Sequence, residues 1–244
     1  RLVASSDPSW VRHIDGYESV ATHLFNPHPV TGDVYPPYNK PGSLGEWLAA
    51  LPPNEETLLL IDPDCVFIRA IETELADGRP IGEEVLYMDP AGPHGAPVTK
   101  RHCRKHKKRV QPLGIPVFIK PADLLSLCPR WYEVTCQIRE DEATREVAGW
   151  VSEMWGYVIA AAELGLHHEL GHNACVQFDE HLGRPLINYC YQTENTAKTW
   201  RWSKRDYKPW TKPDPAPDDV PVAGKYLHSL VEEVAAREMH RCLE

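Results

Sequence analysis

The 244-residue sequence predicts an α/β layered fold, on three observations. Short apolar runs are bounded by Pro- and Asp-containing turns, apolar stripes at helical spacing alternate with them, and no apolar run reaches the length of a membrane span. Hydrophobic residues make up 42% and charged residues 25%, the balance of ordinary globular material.

The elements follow in chain order. Arg1-Leu2-Val3-Ala4 reads as a strand, so the chain is expected to start inside a folded element, with any targeting segment ahead of it; no signal peptide is visible. Residues 26–41, rich in Pro and Asn, read as loop, and Pro41 opens a helix with the stripe Leu44, Trp47, Leu48, Leu51. Thr57-Leu58-Leu59-Leu60-Ile61 is a buried strand, and Cys65-Val66-Phe67-Ile68 a second apolar run. Residues 77–112 read as irregular. Ile115-Pro116-Val117-Phe118-Ile119 is a strand, and Pro121-Ala122-Asp123-Leu124-Leu125 begins a short helix.

The strongest helix runs from about Asp141 to Gly165, with Val147, Val151, Met154, Val158 and Ala161 on its apolar face and Gly165 as its cap. Trp150, Glu153 and Tyr157 share another face. Leu186 to Tyr191 reads as a strand, Lys208 to Pro221 as extended and Pro-rich, and the chain ends in a helix with Leu227, Leu230, Val231 and Val234 inward.

Seven scattered Cys without a C-x-x-C fit reduced thiols better than a disulfide framework. The net charge is −9, but residues 100–109 carry seven Lys/Arg. Setting those seven aside leaves nineteen cations against thirty-five carboxylates, a net charge of −16. Such a block is a local anion site or a solvated loop, and does not make a general polyanion binder. Its residues Arg104, Lys105, Lys107, Lys108 and Arg109 could track nucleic-acid phosphates, but no aromatics interleave to stack bases.

Four constellations bear on chemistry. Asp62-Pro63-Asp64 closes a strand, where open α/β sheets bind ligands, and paired Asp oxygens suit Mg²⁺ or Mn²⁺ holding a substrate diphosphate. The same tripeptide is also ordinary turn chemistry. Trp200-Arg201-Trp202-Ser203-Lys204-Arg205-Asp206-Tyr207 offers stacking faces and phosphate-clamping cations, or a surface where Arg stacks on Trp. Glu153, between Trp150 and Tyr157, is a partly buried carboxylate or an exposed helix residue. His168-Glu169-Leu170-Gly171-His172 matches the zinc-peptidase motif H-E-x-x-H, which requires a helix although Gly165 should just have ended one.

A series of segments runs in order along the chain: Tyr38-Asn39-Lys40-Pro41 with Glu46-Trp47-Leu48, Leu59 to Asp64 with Val66 to Arg69, Pro112-Leu113-Gly114 with Pro116 to Ile119, and Pro129-Arg130-Trp131. Gly149 to Tyr157, Ile187-Asn188-Tyr189, Trp200-Arg201-Trp202 and Lys204 to Tyr207 continue the series. Together these segments resemble the plant and algal hydroxyproline O-arabinosyltransferases and the related peptidyl-serine galactosyltransferases.

The resemblance implies a GT-A-like, Rossmann-type mixed sheet flanked by helices over residues 1–207. Residues 208–244 would form a Pro-rich linker and terminal helix on the same domain. It implies a retaining transfer from a nucleotide-sugar donor such as a UDP-sugar, with Mn²⁺ or Mg²⁺. Asp62 and Asp64 would hold metal and diphosphate, Asn39 and Lys40 would lie near the donor, and Glu153 would face the reacting sugar or acceptor. Trp202, Lys204 and Arg205 would contact the donor.

Two departures stand out. Asn188 replaces the family's His, the expected third metal ligand, and Asn offers only a carbonyl oxygen. The family also has a strand and helix before the piece matching residues 1–4. The implied acceptor is protein hydroxyproline or serine, with a Golgi lumen setting. The rival readings are a hydroxymethylpyrimidine in DNA, with a cytoplasmic setting, a zinc peptidase, and a non-catalytic sugar-binding module.

Overall fold

The computed structural model describes residues 2–4, 18–71, 75–176, 178–190, 192–206 and 214–241. In chain order the elements are β1 (Leu2–Ala4), β2 (Ser19–Ala21), α1 (Asn39–Ala50), β3 (Leu58–Leu60), β4 (Cys65–Phe67), β5 (Ile81–Glu84), α2 (Gly95–His102), β6 (Leu113–Ile119), α3 (Pro121–Glu140), α4 (Glu142–Ala148), α5 (Ser152–Leu164), β7 (Glu169–Gly171), β8 (Ala174–Val176), β9 (Leu186–Asn188), β10 (Thr193–Glu194), β11 (Arg201–Trp202) and α6 (Val222–Arg241). They fall into two compact units: Arg1–Leu60 with Leu75–Gly171, and Ile61–Glu74 with His172–Glu244. The unit boundary therefore cuts the chain between β3 and the Asp62-Pro63-Asp64 turn.

The first unit holds a mixed sheet of order β3-β6-β5-β7. β6 pairs antiparallel with β3 and β5, and β5 pairs parallel with β7. Its core joins Leu60 and the apolar side chains of β6 to Trp47 and Leu48 of α1, the stripe of α3 and nearly all of α5. α1 begins at Asn39, with Leu51 exposed just past its end.

Three expectations need correction. Residues 77–112 are not irregular throughout: they contain the inner strand β5 and the helix α2. Ile81-Gly82-Glu83-Glu84 shows no apolar run, so its burial comes from its neighbours and not from its own pattern. The helix at Pro121 is not short but spans twenty residues. Its buried stripe from Leu124 through Trp131 to Ile138 continues past Pro129, whose missing N–H sacrifices one backbone bond. The long helix before Gly165 is broken, because Gly149 takes φ +52° between α4 and a short 3₁₀ turn leading to α5. Asp141 caps α4 and Gly165, at φ +77°, ends α5 as expected.

α3 and α5 approach closely because residue 156 has no side chain. A Cβ there would lie 2.9 Å from the Trp131 carbonyl and overlap Thr135 Oγ1.

The second unit is built on a three-stranded sheet, β4-β9-β8, with β9 antiparallel to β4 and parallel to β8. A β10–β11 hairpin and α6 complete it. Ile187, Tyr189, Ala223 and Leu227 form the core, with Val66, Ile68, Leu182, Trp202 and Tyr226 against it. α6 buries Ala223, Leu227 and Ala235, whereas Val234, expected inward, is half exposed. Tyr191, Tyr207 and residues 208–213 of the Pro-rich stretch lie outside the described residues, as does the side chain of Cys175. Cys103, Cys128 and Cys136 carry no disulfide. Among the described residues no helix is long and apolar enough to cross a membrane.

Candidate functional site

The second unit holds six of the site residues singled out in the sequence: Asp62, Asp64, Asn188, Trp202, Lys204 and Arg205. The Asp62 carbonyl accepts from the Cys65 amide at 3.0 Å, so the turn reading of Asp62-Pro63-Asp64 is correct as local structure. The turn delivers Asp64 to the edge of β4, where its carbonyl accepts from the Tyr189 amide at 2.9 Å. The β4–β9 register pairs Cys65 with Asn188. Asp64 and Asn188 thus start from adjacent backbone positions although they lie far apart in sequence.

Lys204 reaches the same place from the turn after β11. Its ammonium donates to Asp64 Oδ2 and to the Tyr189 carbonyl, the latter at 2.8 Å. The Tyr189 hydroxyl fixes this turn by donating to the Trp202 carbonyl and accepting the Lys204 amide, both at 3.2 Å. Its ring stacks on Trp202 at 5.3 Å. Trp202 also meets the His228 ring edge-on and packs, partly buried, against the core of this unit. Arg205 is exposed beside Lys204. Tyr189 belongs to a segment that carries the resemblance, Ile187-Asn188-Tyr189, but the sequence assigned it no role of its own.

A divalent cation fits this donor set. Asp64 Oδ1 and Asn188 Oδ1 are both buried and accept no hydrogen bond. Two orphaned acceptors at neighbouring positions are costly unless a donor or cation meets them, and both are hard oxygen ligands. Among the described residues no cluster of three or more His, Cys, Asp or Glu could hold a metal, so a site here depends on the Asn oxygen.

Asn39, Lys40 and Glu153 belong to the first unit. Asn39 Oδ1 accepts from the Phe25 amide at 2.8 Å and anchors the preceding loop. Lys40 Nζ meets Glu153 Oε2 at 3.2 Å, and Glu153 is almost fully buried. The backbone of Glu153 is held twice: its amide donates to the Tyr35 hydroxyl at 3.0 Å, and its carbonyl accepts from Trp131 Nε1 at 2.9 Å. The Tyr35 hydroxyl in turn donates to the Trp150 carbonyl. Burial pushes the Tyr35 phenol well above its usual range. Of the predicted helix face, Glu153 and Tyr157 are buried and Trp150 is exposed. Tyr35, in a Pro-rich loop, had no signal beyond being aromatic.

The H-E-x-x-H reading is overturned. Glu169–Gly171 is a strand, so the two His do not share a helix face. His168 is instead a core residue, with Nε2 at 2.8 Å from the Tyr157 hydroxyl.

Residues 1–170 match the Hydroxyproline O-arabinosyltransferase family N-terminal domain, and the chain belongs to that family. Among curated relatives it is 27% identical over 239 residues to Hydroxyproline O-arabinosyltransferase PLENTY of Lotus japonicus, covering 90% of this chain and 66% of that protein. It is 28% identical over 219 residues to Hydroxyproline O-arabinosyltransferase NOD3 of Pisum sativum, covering 81% and 64%. It is 27% identical over 240 residues to a Peptidyl serine alpha-galactosyltransferase of Arabidopsis thaliana, covering 88% of this chain and 29% of that one. The chain thus spans less than two thirds of each relative's length. No solved structure matches.

Proposed function

We propose that the chain is a nucleotide-sugar-dependent glycosyltransferase acting on hydroxyproline or serine hydroxyls in protein. The observation that carries this reading is the Asp64–Asn188–Lys204 cluster, inside a family whose relatives are named for those acceptors. The mixed α/β architecture accords with a GT-A-like fold. The DNA-acceptor alternative has no support among the relatives.

In this reading Asp64 and Asn188, with Asp62 at the head of the turn, hold Mn²⁺ or Mg²⁺. The ion would offset the charge that grows on the leaving diphosphate. Lys204 and Arg205 bind the phosphate oxygens, and Lys204 exchanges its Asp64 contact for them. The bond from the acceptor oxygen to the anomeric carbon forms as the carbon–phosphate oxygen bond breaks. The acceptor proton passes to the leaving phosphate on the same face, which retains the anomeric configuration.

The test is a screen of nucleotide sugars with Mn²⁺ and Mg²⁺, following donor hydrolysis and transfer to a hydroxyproline peptide. Transfer from one donor, abolished by Asp64→Ala, is expected. Full activity in that variant would sink the reading.

A further inference from the structure

The basic block is not a floppy run. Arg101 and Arg104, with Arg130 from α3, spend their charge on carboxylates inside the first unit. Arg101 Nε meets Asp141 at 2.6 Å, and Arg104 Nη2 meets Glu133 at 2.7 Å. Glu163 is the buried anchor: it accepts from Arg130 Nε at 2.7 Å and from the Arg104 amide. Burial alone would raise its carboxyl, but these donors outweigh it and hold the carboxyl below its usual range. His102 and Cys103 are buried, so the segment is fastened from beneath.

The other cations of the block are presented outward. Lys100, Lys105, Lys107, Lys108 and Arg109 are exposed, and among the described residues none of them meets a carboxylate. Lys107 does donate to the Lys100 carbonyl at 2.8 Å, which orders the segment without cancelling charge. A 3₁₀ turn, Lys107–Arg109, follows His106 at φ 60°. Five unneutralised cations held in order repel one another, and an anionic partner relieves that repulsion.

The size of that partner is limited by the rest of the chain, which carries −16. A long duplex or an anionic membrane plane would face that opposing charge, whereas a short acidic segment can meet the block alone. Four of the five free cations are Lys, point charges that tolerate varied carboxylate positions, and no aromatic is interleaved for base stacking. We infer that residues 100–109 are a docking surface for an acidic stretch of the acceptor polypeptide. This rests on the proposed protein-acceptor reading and adds the acceptor's charge to it.

The test compares two labelled hydroxyproline peptides, one flanked by Glu and one by Gln, binding to the full chain and to a K105E/K108E/R109E variant. Among the described residues the three substituted side chains are exposed and make no hydrogen bond or ion pair, so the variant's melting should match the parent chain. The Glu peptide should bind about ten-fold more tightly at low salt. That preference should vanish in the variant and at about 0.5 M salt, where screening is nearly complete. Equal binding of the two peptides, or a variant that keeps the preference, overturns the inference. So does charge-dependent binding of duplex DNA or anionic vesicles with none of the Glu peptide. Binding needs no donor, so a chain that transfers no sugar yet keeps the charge-dependent preference would refute the proposed reaction and leave this surface standing.

Discussion

Lys204 donates its ammonium to one oxygen of Asp64, 140 residues earlier, while the other Asp64 oxygen and the side-chain oxygen of Asn188 stay buried without a donor. One carboxylate oxygen is thereby matched to a fixed cation, while the other lies with the Asn188 oxygen as a pair of hard acceptors of the kind a divalent ion takes.

Asn188→Asp should therefore raise Mn²⁺ affinity by about ten-fold or more, since a carboxylate is a stronger hard-oxygen ligand than a carbonyl. Asn188→Ala should lower it. Titration calorimetry with Mn²⁺ alone reads both changes, and an unchanged affinity in both variants would remove Asn188 from the ligand set.

The buried pair of Lys40 and Glu153 separates structural from chemical roles. Lys40→Met should cost about 2 kcal/mol by removing the ammonium that meets a buried carboxylate. Glu153→Gln should cost less, because a neutral amide needs no counter-charge. Denaturant unfolding of both variants, alongside their transfer rates, decides the matter. A Glu153→Gln chain that folds normally but loses transfer makes Glu153 chemical; one that keeps transfer makes it a strut.

Gly156→Ala should destabilise the chain by about 1–3 kcal/mol, because the added methyl overlaps Thr135 Oγ1 at the α3–α5 contact. Pairing it with Thr135→Ala, which clears the hydroxyl, should recover part of that loss. Thermal melts of the single and double variants are the measurement.

His168 predicts an acid sensitivity. Burial lowers its folded pKa to about 4, from an ordinary value of 6.5. The unfolded chain then binds the proton first, so stability is intact above pH 6.5 and falls as pH drops toward 4. The loss at pH 5 is about 2 kcal/mol. His168→Gln should shrink the difference between unfolding free energies at pH 7 and pH 5. If that difference stays the same, the sensitivity comes from another group.

Much of the fold was legible because it is written in local periodicity. Leu58 to Leu60, Ile115 to Ile119 and the α5 segment with its Gly165 cap announce themselves within a window of residues. β5 did not, because Gly82, Glu83 and Glu84 have no strand pattern, and it is pairing with β6 and β7 that buries Gly82 and Glu83. The full reach of α3 was hidden by Pro129, a local breaker that the tertiary stripe overrides. At the site, residue types and turn chemistry pointed to Asp62, Asp64 and Lys204, but the dual role of Tyr189 was invisible. The helical reading of His168 to His172 failed because pairing with β5 converts Glu169–Gly171 to strand.

By itself the sequence determined the alternation of strands and helices, the family, the isolated basic block and the candidate ligands. Each of these depends on identities or spacings within a few residues. Only the tertiary structure decided which cation meets Asp64, which oxygens are left without donors, and which Lys and Arg of the block remain unpaired. Those outcomes join residues such as Asp64 and Lys204, or Tyr35 and Trp150, that are brought together only when the sheets and helices pack.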